Sequence, residues 1–193
     1  IFPLMGTMII PLKVGAMIAI SPSMESADIM KTLQQNRVTI MIGVPRLFAA
    51  IRKGVMDKIN KSAIARLLFK LASKLNSKSF SRKVFGAVHQ KLGGAIENLV
   101  SGGAALDPHV GRDFQVLGFE VLEGYGMTEA APMISFTRPG RVRIGSPGEA
   151  MPGISIRIVD GEITASGNSI MQGYYGRKEE TDAVLKNEWL YTG

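Results

Sequence analysis

Nine residues in the second half of the chain combine the side-chain types that a nucleotide site requires. They are Glu123-Gly124-Tyr125-Gly126-Met127-Thr128-Glu129-Ala130-Ala131, and they follow an apolar run, Phe119 to Leu122, that is typical of a strand. The glycines let the backbone approach a bound group, the tyrosine offers a flat face for a base, and the threonine can donate to a phosphate. Glu129 can hold a hard cation such as Mg²⁺. The stretch favours a nucleotide-binding loop, although a polar turn between strand and helix would show the same composition.

A second run of small residues, 101–106, follows another predicted strand, Glu97 to Val100. Its glycines could let the backbone lie flat against a planar ligand, or could serve only close packing. Asp107 and Pro108 then predict the start of a helix, because aspartate caps helices and proline fits their first turn. Both loops therefore leave the carboxyl ends of neighbouring strands, where α/β proteins bind ligands, and can form two walls of one crevice.

The composition excludes several classes of site. The chain has 193 residues, a net charge of +7 and 46% hydrophobic residues, so it can bury a core. It has no cysteine, which excludes disulfides, thiolate metal sites and a cysteine nucleophile and fits a reducing, cytoplasmic compartment. His89 and His109 have no second ligand at metal-binding spacing, so both are predicted to be ordinary structural residues.

Alternating helices and strands predict an α/β fold for residues 1–144, with a mixed or parallel sheet flanked by helices. The patterns predict a buried helix over 3–13 and buried strands over 16–20 and 38–42. They also predict a helix that is capped by Ser26 or Asp28 and runs to about Gln35, and another with Pro45 in its first turn. Residues 145–193 are punctuated by glycine and proline and predict a β-rich, truncated second subdomain. In it, Asp160-Gly161 predicts a hairpin turn after Ile154 to Val159, and a short helix is expected over 179–186.

Residues 52–91 form a basic, helical insertion in which eleven Lys or Arg residues accompany one acid, Asp57. Two faces of one predicted helix are apolar and basic: Ile64, Leu67, Leu68, Leu71 and Leu75 on the first, and Arg66, Lys70 and Lys74 on the second. One interpretation is a solvated insertion whose leucines pack on the sheet, and the other is attraction to an anionic membrane surface. No nucleic-acid partner is expected, because neither a motif nor aromatic interleaving supports one.

Four motifs, in this order and at this spacing, resemble those of AMP-forming acyl-CoA synthetases of the adenylate-forming superfamily, in particular long-chain fatty acid–CoA ligases. They are Gly102-Gly103-Ala104, Tyr125-Gly126-Met127-Thr128-Glu129, Gly161-Glu162 with Gly167 and Gly173-Tyr174, and Tyr191-Thr192-Gly193. Each motif alone is weak, whereas the series is specific. The resemblance covers nearly the whole chain and implies a fragment of the large N-terminal domain of such an enzyme.

The resemblance implies a reaction and a set of roles. An enzyme of this family activates a carboxylic acid with MgATP to acyl-AMP and then passes the acyl group to coenzyme A. By resemblance, Thr128 and Glu129 are catalytic, Glu129 holds Mg²⁺, and Tyr125 stacks on adenine. The implied ATP/AMP site comprises Gly102, Gly103, Ala104, Glu123, Gly124, Tyr125, Gly126, Met127 and Thr128. The implied acyl pocket includes Phe2, Gly102 and Met127.

The same resemblance places other parts of the site outside this chain. The family's phosphate loop would precede Ile1, and its ribose-binding aspartate and small C-terminal domain would follow Gly193, so the fragment alone is expected to be inactive. The basic insertion favours a long-chain fatty acid and peripheral contact with a membrane. The alternatives are an aryl or amino-acid adenylating domain, or a non-catalytic membrane-associated binding module.

Overall fold

The computed structural model describes residues 2–193, except for the side chain of Phe2. The helices in that range are α1 (Phe2–Leu4), α2 (Ile10–Lys13), α3 (Ser26–Asn36), α4 (Pro45–Asn60), α5 (Ala63–Leu75), α6 (Lys78–Val84), α7 (Gly86–Lys91), α8 (Pro108–Val116) and α9 (Lys178–Val184). The strands are β1 (Ile40–Gly43), β2 (Asn98–Ser101), β3 (Glu120–Gly126), β4 (Met133–Phe136), β5 (Glu149–Ala150), β6 (Ile154–Val159), β7 (Glu162–Gly167), β8 (Leu185–Lys186) and β9 (Trp189–Tyr191). A π-helical segment, Met5–Ile9, joins α1 to α2, and a 3₁₀ turn, Thr128–Ala130, follows β3.

Five strands form the first sheet, in the order β1-β2-β3-β4-β5. β1, β2 and β3 run parallel, with Leu99 opposite both Met41 and Val121, and β4 and β5 extend the sheet antiparallel. Parallel neighbours need crossover connections, which are supplied by α4 to α7 between β1 and β2 and by α8 between β2 and β3. The predicted mixed sheet flanked by helices is confirmed.

The main core lies between this sheet and its helices. Met41, Leu99 and Val121 belong to it, since residues opposite one another in register point to the same face. Phe48 of α4 meets Phe114 of α8 edge to face at a ring-centroid distance of 6.1 Å, and both side chains are buried. Such pairs stabilise a fold by about 0.5–1.5 kcal/mol beyond the burial itself. This packing holds α8 in place between the two loops that carry the predicted site.

His89 is a core residue of α7. Its ring stacks on Phe119 at a centroid distance of 4.0 Å, and its Nε2 lies 2.8 Å from the carbonyl oxygen of Leu117. Because a carbonyl oxygen can only accept, Nε2 carries the proton of the neutral ring. Burial lowers the pKa of His89 below its ordinary value, opposed by the hydrogen bond to Leu117.

We expect the protein to lose stability as pH falls below about 6.5, the ordinary histidine pKa. Burial lowers the pKa of His89 in the folded state, so the unfolded chain binds the proton more readily and acid favours unfolding. The check is the midpoint of urea unfolding between pH 8 and pH 5, compared with His89→Gln. A variant whose midpoint varies with pH in parallel with that of the wild type would exclude His89 as the source.

Four strands form a second, antiparallel sheet in the order β6-β7-β9-β8. The predicted hairpin is confirmed, and Asp160 and Gly161 both have positive φ (51° and 85°), as a two-residue type I′ turn requires. The predicted helix over 179–186 instead ends at Val184, because Leu185 and Lys186 pair with β9. β5 belongs to the first sheet and β6 to the second, and the predicted division at residue 144 stays a prediction.

Two expectations for the first twenty residues are wrong. The helical segment 3–13 forms, but most of its side chains are exposed rather than buried. Residues 16–20 do not form a strand, and Met17 and Ile20 are largely exposed. A strand needs a partner for its backbone groups, and within residues 2–193 the pairing of β1 is with β2 alone. High apolarity and β propensity therefore did not suffice to place 16–20 in the sheet.

The basic segment 52–91 is helical, as predicted, but its leucines do not pack on the sheet. Leu67, Leu71 and Leu75 are exposed, while α5 contacts the core through Ala65, Phe69 and Ala72 on its adjoining face. The periodicity identified an apolar face correctly without showing which face meets the core. Within the described part of the chain, no helix has the length and apolarity that crossing a bilayer requires.

Candidate nucleotide site

The two predicted loops leave the same end of the first sheet. Ser101 of β2 lies opposite Glu123 of β3 in the parallel register, so the segments that follow each residue begin side by side. The backbone N–H of Gly102 donates to the carbonyl oxygen of Gly43 at 3.3 Å, which ties the second loop to β1 as well. Gly102 is buried, whereas Gly103 and Ala104 are exposed, and Gly103 has a positive φ of 84°. The structure therefore brings the two motifs to one edge.

The sequence suggested that the first motif, residues 123–131, is a loop, but its first four residues belong to a strand. β3 continues to Gly126 and pairs antiparallel with β4, with Tyr125 opposite Ser135. A methyl group at Gly126 would overlap the carbonyl oxygen of Pro132, and one at Gly124 would overlap the Cε methyl carbon of Met133. Gly126 is therefore needed for the close approach of the chain's own strand β4, whereas at Gly124 the obstacle is the end of a flexible side chain. The approach of a ligand to either glycine stays a prediction.

The turn after β3 presents Thr128 and Glu129. Met127 N–H donates to the Pro132 carbonyl oxygen at 2.8 Å, which closes the turn around the 3₁₀ segment. Thr128 is exposed, and its hydroxyl makes no hydrogen bond within residues 2–193. Tyr125 and Met127 are half-buried against the second core, formed by Ala130, Ile134, Ala165 and Leu190. One part of the tyrosine ring thus rests on the protein while the rest stays accessible.

Glu129 is held by Tyr174, for which the sequence indicated a family motif but no contact. The Tyr174 hydroxyl donates to Glu129 Oε1 at 2.8 Å, and Met171 N–H donates to the Glu129 carbonyl oxygen at 2.7 Å. The hydrogen bond to Glu129 raises the pKa of Tyr174 above its ordinary value. Tyr174 is itself fixed, since its N–H donates to Thr181 Oγ1 at 2.9 Å. The Gly173-Tyr174 motif was the available signal, but the contact spans 45 residues and could not be read from spacing.

Glu123 and Ser101 add two polar groups at the same edge. Burial raises the pKa of the Glu123 carboxyl above its ordinary value, opposed by hydrogen bonds from the backbone N–H groups of Leu106 and Gly145. The Ser101 hydroxyl is buried without a hydrogen-bond partner in the described part of the chain. Nothing in the sequence distinguished this serine, and an unpartnered buried hydroxyl is a candidate contact for a ligand or a water.

An apolar cavity of about 1060 Å³ lies on the face of the sheet opposite the main core. Its walls include Ile42 of β1, Val100 of β2 and Met133 and Phe136 of β4, together with residues 16–19. Gly102 and Met127 do not line it, and the side chain of Phe2 lies outside the described residues. Their place in an acyl pocket stays a prediction.

The residues present could supply one ligand to a magnesium ion, Glu129, but not a complete set of protein ligands. No cluster of three His, Asp, Glu or Cys side chains occurs among residues 2–193. Glu129 uses Oε1 to accept from Tyr174, and Oε2 makes no hydrogen bond within that range. One free carboxylate oxygen suits Mg²⁺, which is commonly bound by one or two carboxylates, waters and substrate phosphates.

The AMP-binding enzyme family matches the chain over residues 1–175. The chain belongs to that family. Among its relatives, long chain acyl-CoA synthetase 2 of Arabidopsis thaliana is 33% identical over an alignment 197 residues long. That alignment covers 86% of this chain and 30% of the relative. Long-chain-fatty-acid–CoA ligase 1 of Schizosaccharomyces pombe is 31% identical over 185 residues, covering 81% of this chain and 27% of the relative. The chain thus spans about 30% of the length of the curated relatives it matches.

Solved structures share its fold. An anthranilate CoA ligase in complex with anthranoyl-AMP superimposes with a TM-score of 0.74 at 22% identity, over 100% of this chain and 34% of that one. A malonyl-CoA ligase with methylmalonyl-CoA and AMP bound superimposes with a TM-score of 0.71 at 25% identity, over 99% of this chain and 38% of that one. The chain therefore has the predicted fold of adenylate-forming enzymes.

Proposed function

We propose that the full-length protein is an AMP-forming ligase that joins a long-chain fatty acid to coenzyme A. Family membership and the named relatives support the reaction class. The observation that carries the proposal is the cluster at one sheet edge, where a free threonine hydroxyl, a carboxylate fixed by Tyr174 and a glycine loop lie at the ends of neighbouring strands. These are the groups that an ATP site of this kind requires.

The reaction proceeds in two balanced steps. A carboxylate oxygen of the acid attacks the α-phosphorus of ATP, the new O–P bond forms, and the bond to the β-phosphate oxygen breaks to release pyrophosphate. The thiolate of coenzyme A then attacks the acyl carbon, the C–S bond forms, and AMP leaves with the electrons of the C–O bond. Both steps develop negative charge on oxygen, so donors and cations aimed at that charge lower the barrier.

We propose a role for each side chain of the site. We assign the α-phosphate to the exposed Thr128 hydroxyl, which has no partner within residues 2–193 and can donate to it. Glu129 would hold Mg²⁺ through Oε2, and that ion would supply charge neutralisation between the approaching anions. The accessible part of Tyr125 would stack on adenine, and Gly102 to Ala104 would line its other side, with Glu123, Gly124, Gly126 and Met127 completing the backbone of the site.

The long-chain assignment rests on the relatives' names and on the apolar cavity. An aryl acid is the second candidate, because a benzoate CoA ligase from Burkholderia xenovorans LB400 is 26% identical over 95% of this chain, with a TM-score of 0.64. The test is thioester formation by the full-length protein with palmitate, benzoate and an amino acid, each beside ATP and coenzyme A. Palmitoyl-CoA as the main product is expected, and benzoyl-CoA as the main product would transfer the assignment to aryl acids.

Tyr174→Phe is expected to lower adenylate formation by roughly threefold to tenfold and to raise the Mg²⁺ concentration needed for half-maximal rate, because Glu129 loses the hydrogen bond that orients it. The measurement is pyrophosphate release against Mg²⁺ concentration. Tyr175→Phe is the matched control, since the neighbouring tyrosine is fully exposed and its hydroxyl makes no hydrogen bond in the described chain. Equal Mg²⁺ dependence in the two variants would remove Tyr174 from the site.

We further propose that the enzyme acts at the surface of an anionic membrane, from which a long-chain acid is drawn. The net charge of +7 on these 193 residues and the basic segment 52–91 support this location, because anionic lipids attract cationic surfaces. Residues 1–193 alone are expected to remain inactive, since they span about 30% of the relatives' length. Turnover by this piece would show that it contains a complete site.

A further inference from the structure

Helix α5 presents a continuous apolar stripe to solvent. Ile64, Leu67, Leu71 and Leu75 are 73%, 68%, 43% and 53% exposed. Their spacing of three and four residues aligns them along one side of the helix. Single exposed apolar side chains are ordinary, but four in one line form a contiguous patch, which is typical of an interaction surface.

The stripe is separate from the face that α5 uses for core packing. Ala72 is completely buried, and Phe69 packs edge to face on Phe85 with ring centroids 6.1 Å apart. Ala65 completes this inner face. The helix therefore already has contacts that hold it on the domain, and the four outer side chains do not belong to that core cluster.

A line of cations runs beside the stripe. Arg66, Lys70 and Lys74 follow one another at steps of four residues, and all three are exposed. None of them forms an ion pair within residues 2–193, and α5 contains no acid. Lys78 differs, because its Nζ lies 2.9 Å from Glu120 Oε1. The free cations of α5 are thus concentrated on the side that borders the apolar residues.

We propose that α5 lies flat on an anionic bilayer, with the stripe Ile64, Leu67, Leu71 and Leu75 in the acyl boundary and Arg66, Lys70 and Lys74 at the lipid phosphates. Charge decides between the occupants. A second copy of this basic chain would bring like charges together, whereas an anionic lipid surface satisfies the apolar and the cationic line at once. This inference rests on the peripheral location proposed above and names the residues that produce it.

The test is sedimentation of the full-length protein with vesicles of phosphatidylcholine and phosphatidylserine, beside vesicles of phosphatidylcholine alone. Lys70→Glu with Lys74→Glu is expected to lower partitioning into anionic vesicles about tenfold at low salt. Lys13→Glu with Lys31→Glu makes the same change in charge at two exposed lysines of α2 and α3, outside the segment 52–91, that form no ion pair in the described chain. That control is expected to lose at most about twofold, because neither lysine belongs to α5 or to the basic segment 52–91.

The apolar stripe is tested in the same assay. Ile64→Gln with Leu67→Gln is expected to lower partitioning about tenfold, while Ile158→Gln, at another strongly exposed position, leaves it unchanged. Both α5 double variants should keep the wild-type unfolding midpoint, since the replaced side chains are exposed.

Three results would overturn the assignment to α5. The first is binding of the wild type to phosphatidylcholine vesicles as strongly as to anionic ones, and the second is no binding to either kind of vesicle at low salt. The third is an equal loss of vesicle binding in the α5 variants and in the control variants. A change in oligomeric state of Ile64→Gln with Leu67→Gln, with vesicle binding intact, would also overturn it and indicate a self-contact. Thioester formation from a short, water-soluble acid is measured in parallel, so that failure of the membrane contact is distinguished from failure of the proposed reaction.

Discussion

Glu129→Ala is expected to lower acid-dependent adenylate formation by the full-length protein by roughly 10²- to 10⁴-fold, which corresponds to about 3–5 kcal/mol of lost transition-state stabilisation. The carboxylate is fixed by Tyr174 through Oε1, and Oε2 makes no hydrogen bond within residues 2–193, as a metal ligand requires. Without it, the charge that develops between the acid and the α-phosphate is poorly neutralised. The measurement is pyrophosphate release at saturating ATP and Mg²⁺.

Glu129→Gln separates two roles of this side chain. Glutamine keeps an oxygen that can accept from Tyr174 but loses the charge that attracts Mg²⁺. We therefore expect glutamine to impair the reaction nearly as much as alanine. Recovery of the wild-type rate by glutamine would show that Glu129 acts only by holding the turn to Tyr174. Glu97→Ala, at an exposed carboxylate beside β2, is the control and should leave the rate unchanged.

Gly126→Ala is expected to destabilise the domain by about 3 kcal/mol, near the upper limit for overpacking. The new methyl group would overlap the carbonyl oxygen of Pro132, and backbone cannot move aside as a side-chain end can. Because Pro132 also accepts from Met127 N–H, the turn that presents Thr128 and Glu129 should open. The measurements are the unfolding midpoint and hydrogen–deuterium exchange of peptides covering β4.

Gly54→Ala is the matched control for this change. Gly54 lies in the exposed middle of α4, and a methyl group there would meet no atom within 4 Å. Alanine should stabilise that helix by about 0.5–1 kcal/mol, because it restricts the unfolded chain more than glycine does. If Gly126→Ala keeps the midpoint and the exchange rates of the wild type, the glycine serves a ligand rather than β4.

Sequence patterns predicted those helices, strands and turns whose conformation depends on residues close together in the chain. The β-branched run ending at Ile42 forms β1, Pro45 begins α4, and Asp107 caps α8 by accepting from His109 N–H at 2.7 Å. The Asp160-Gly161 turn fixes the β6–β7 register because its φ values permit few alternatives. In each case, the conformation of a few neighbouring residues decided the outcome.

The rest depended on contacts between distant parts of the chain. Residues 16–20 have the composition of a strand, but no neighbouring strand pairs with them among residues 2–193. In α5 two apolar faces adjoin each other, and only the packing of Phe69 and Ala72 determines which one is inward. The contact between Glu129 and Tyr174 joins the turn after β3 to the segment before α9, which no periodicity reports. The sequence thus indicated the candidate site residues without showing what holds them.

Acid-dependent exchange of labelled pyrophosphate into ATP tests the central proposal most directly, because it reports the first step without coenzyme A. We expect the full-length protein to exchange label when palmitate and Mg²⁺ are present, to do so far more slowly with benzoate, and to lose the exchange in Glu129→Ala. Exchange that is independent of the added acid, or that survives unchanged in Glu129→Ala, would contradict an adenylate-forming site built around this carboxylate.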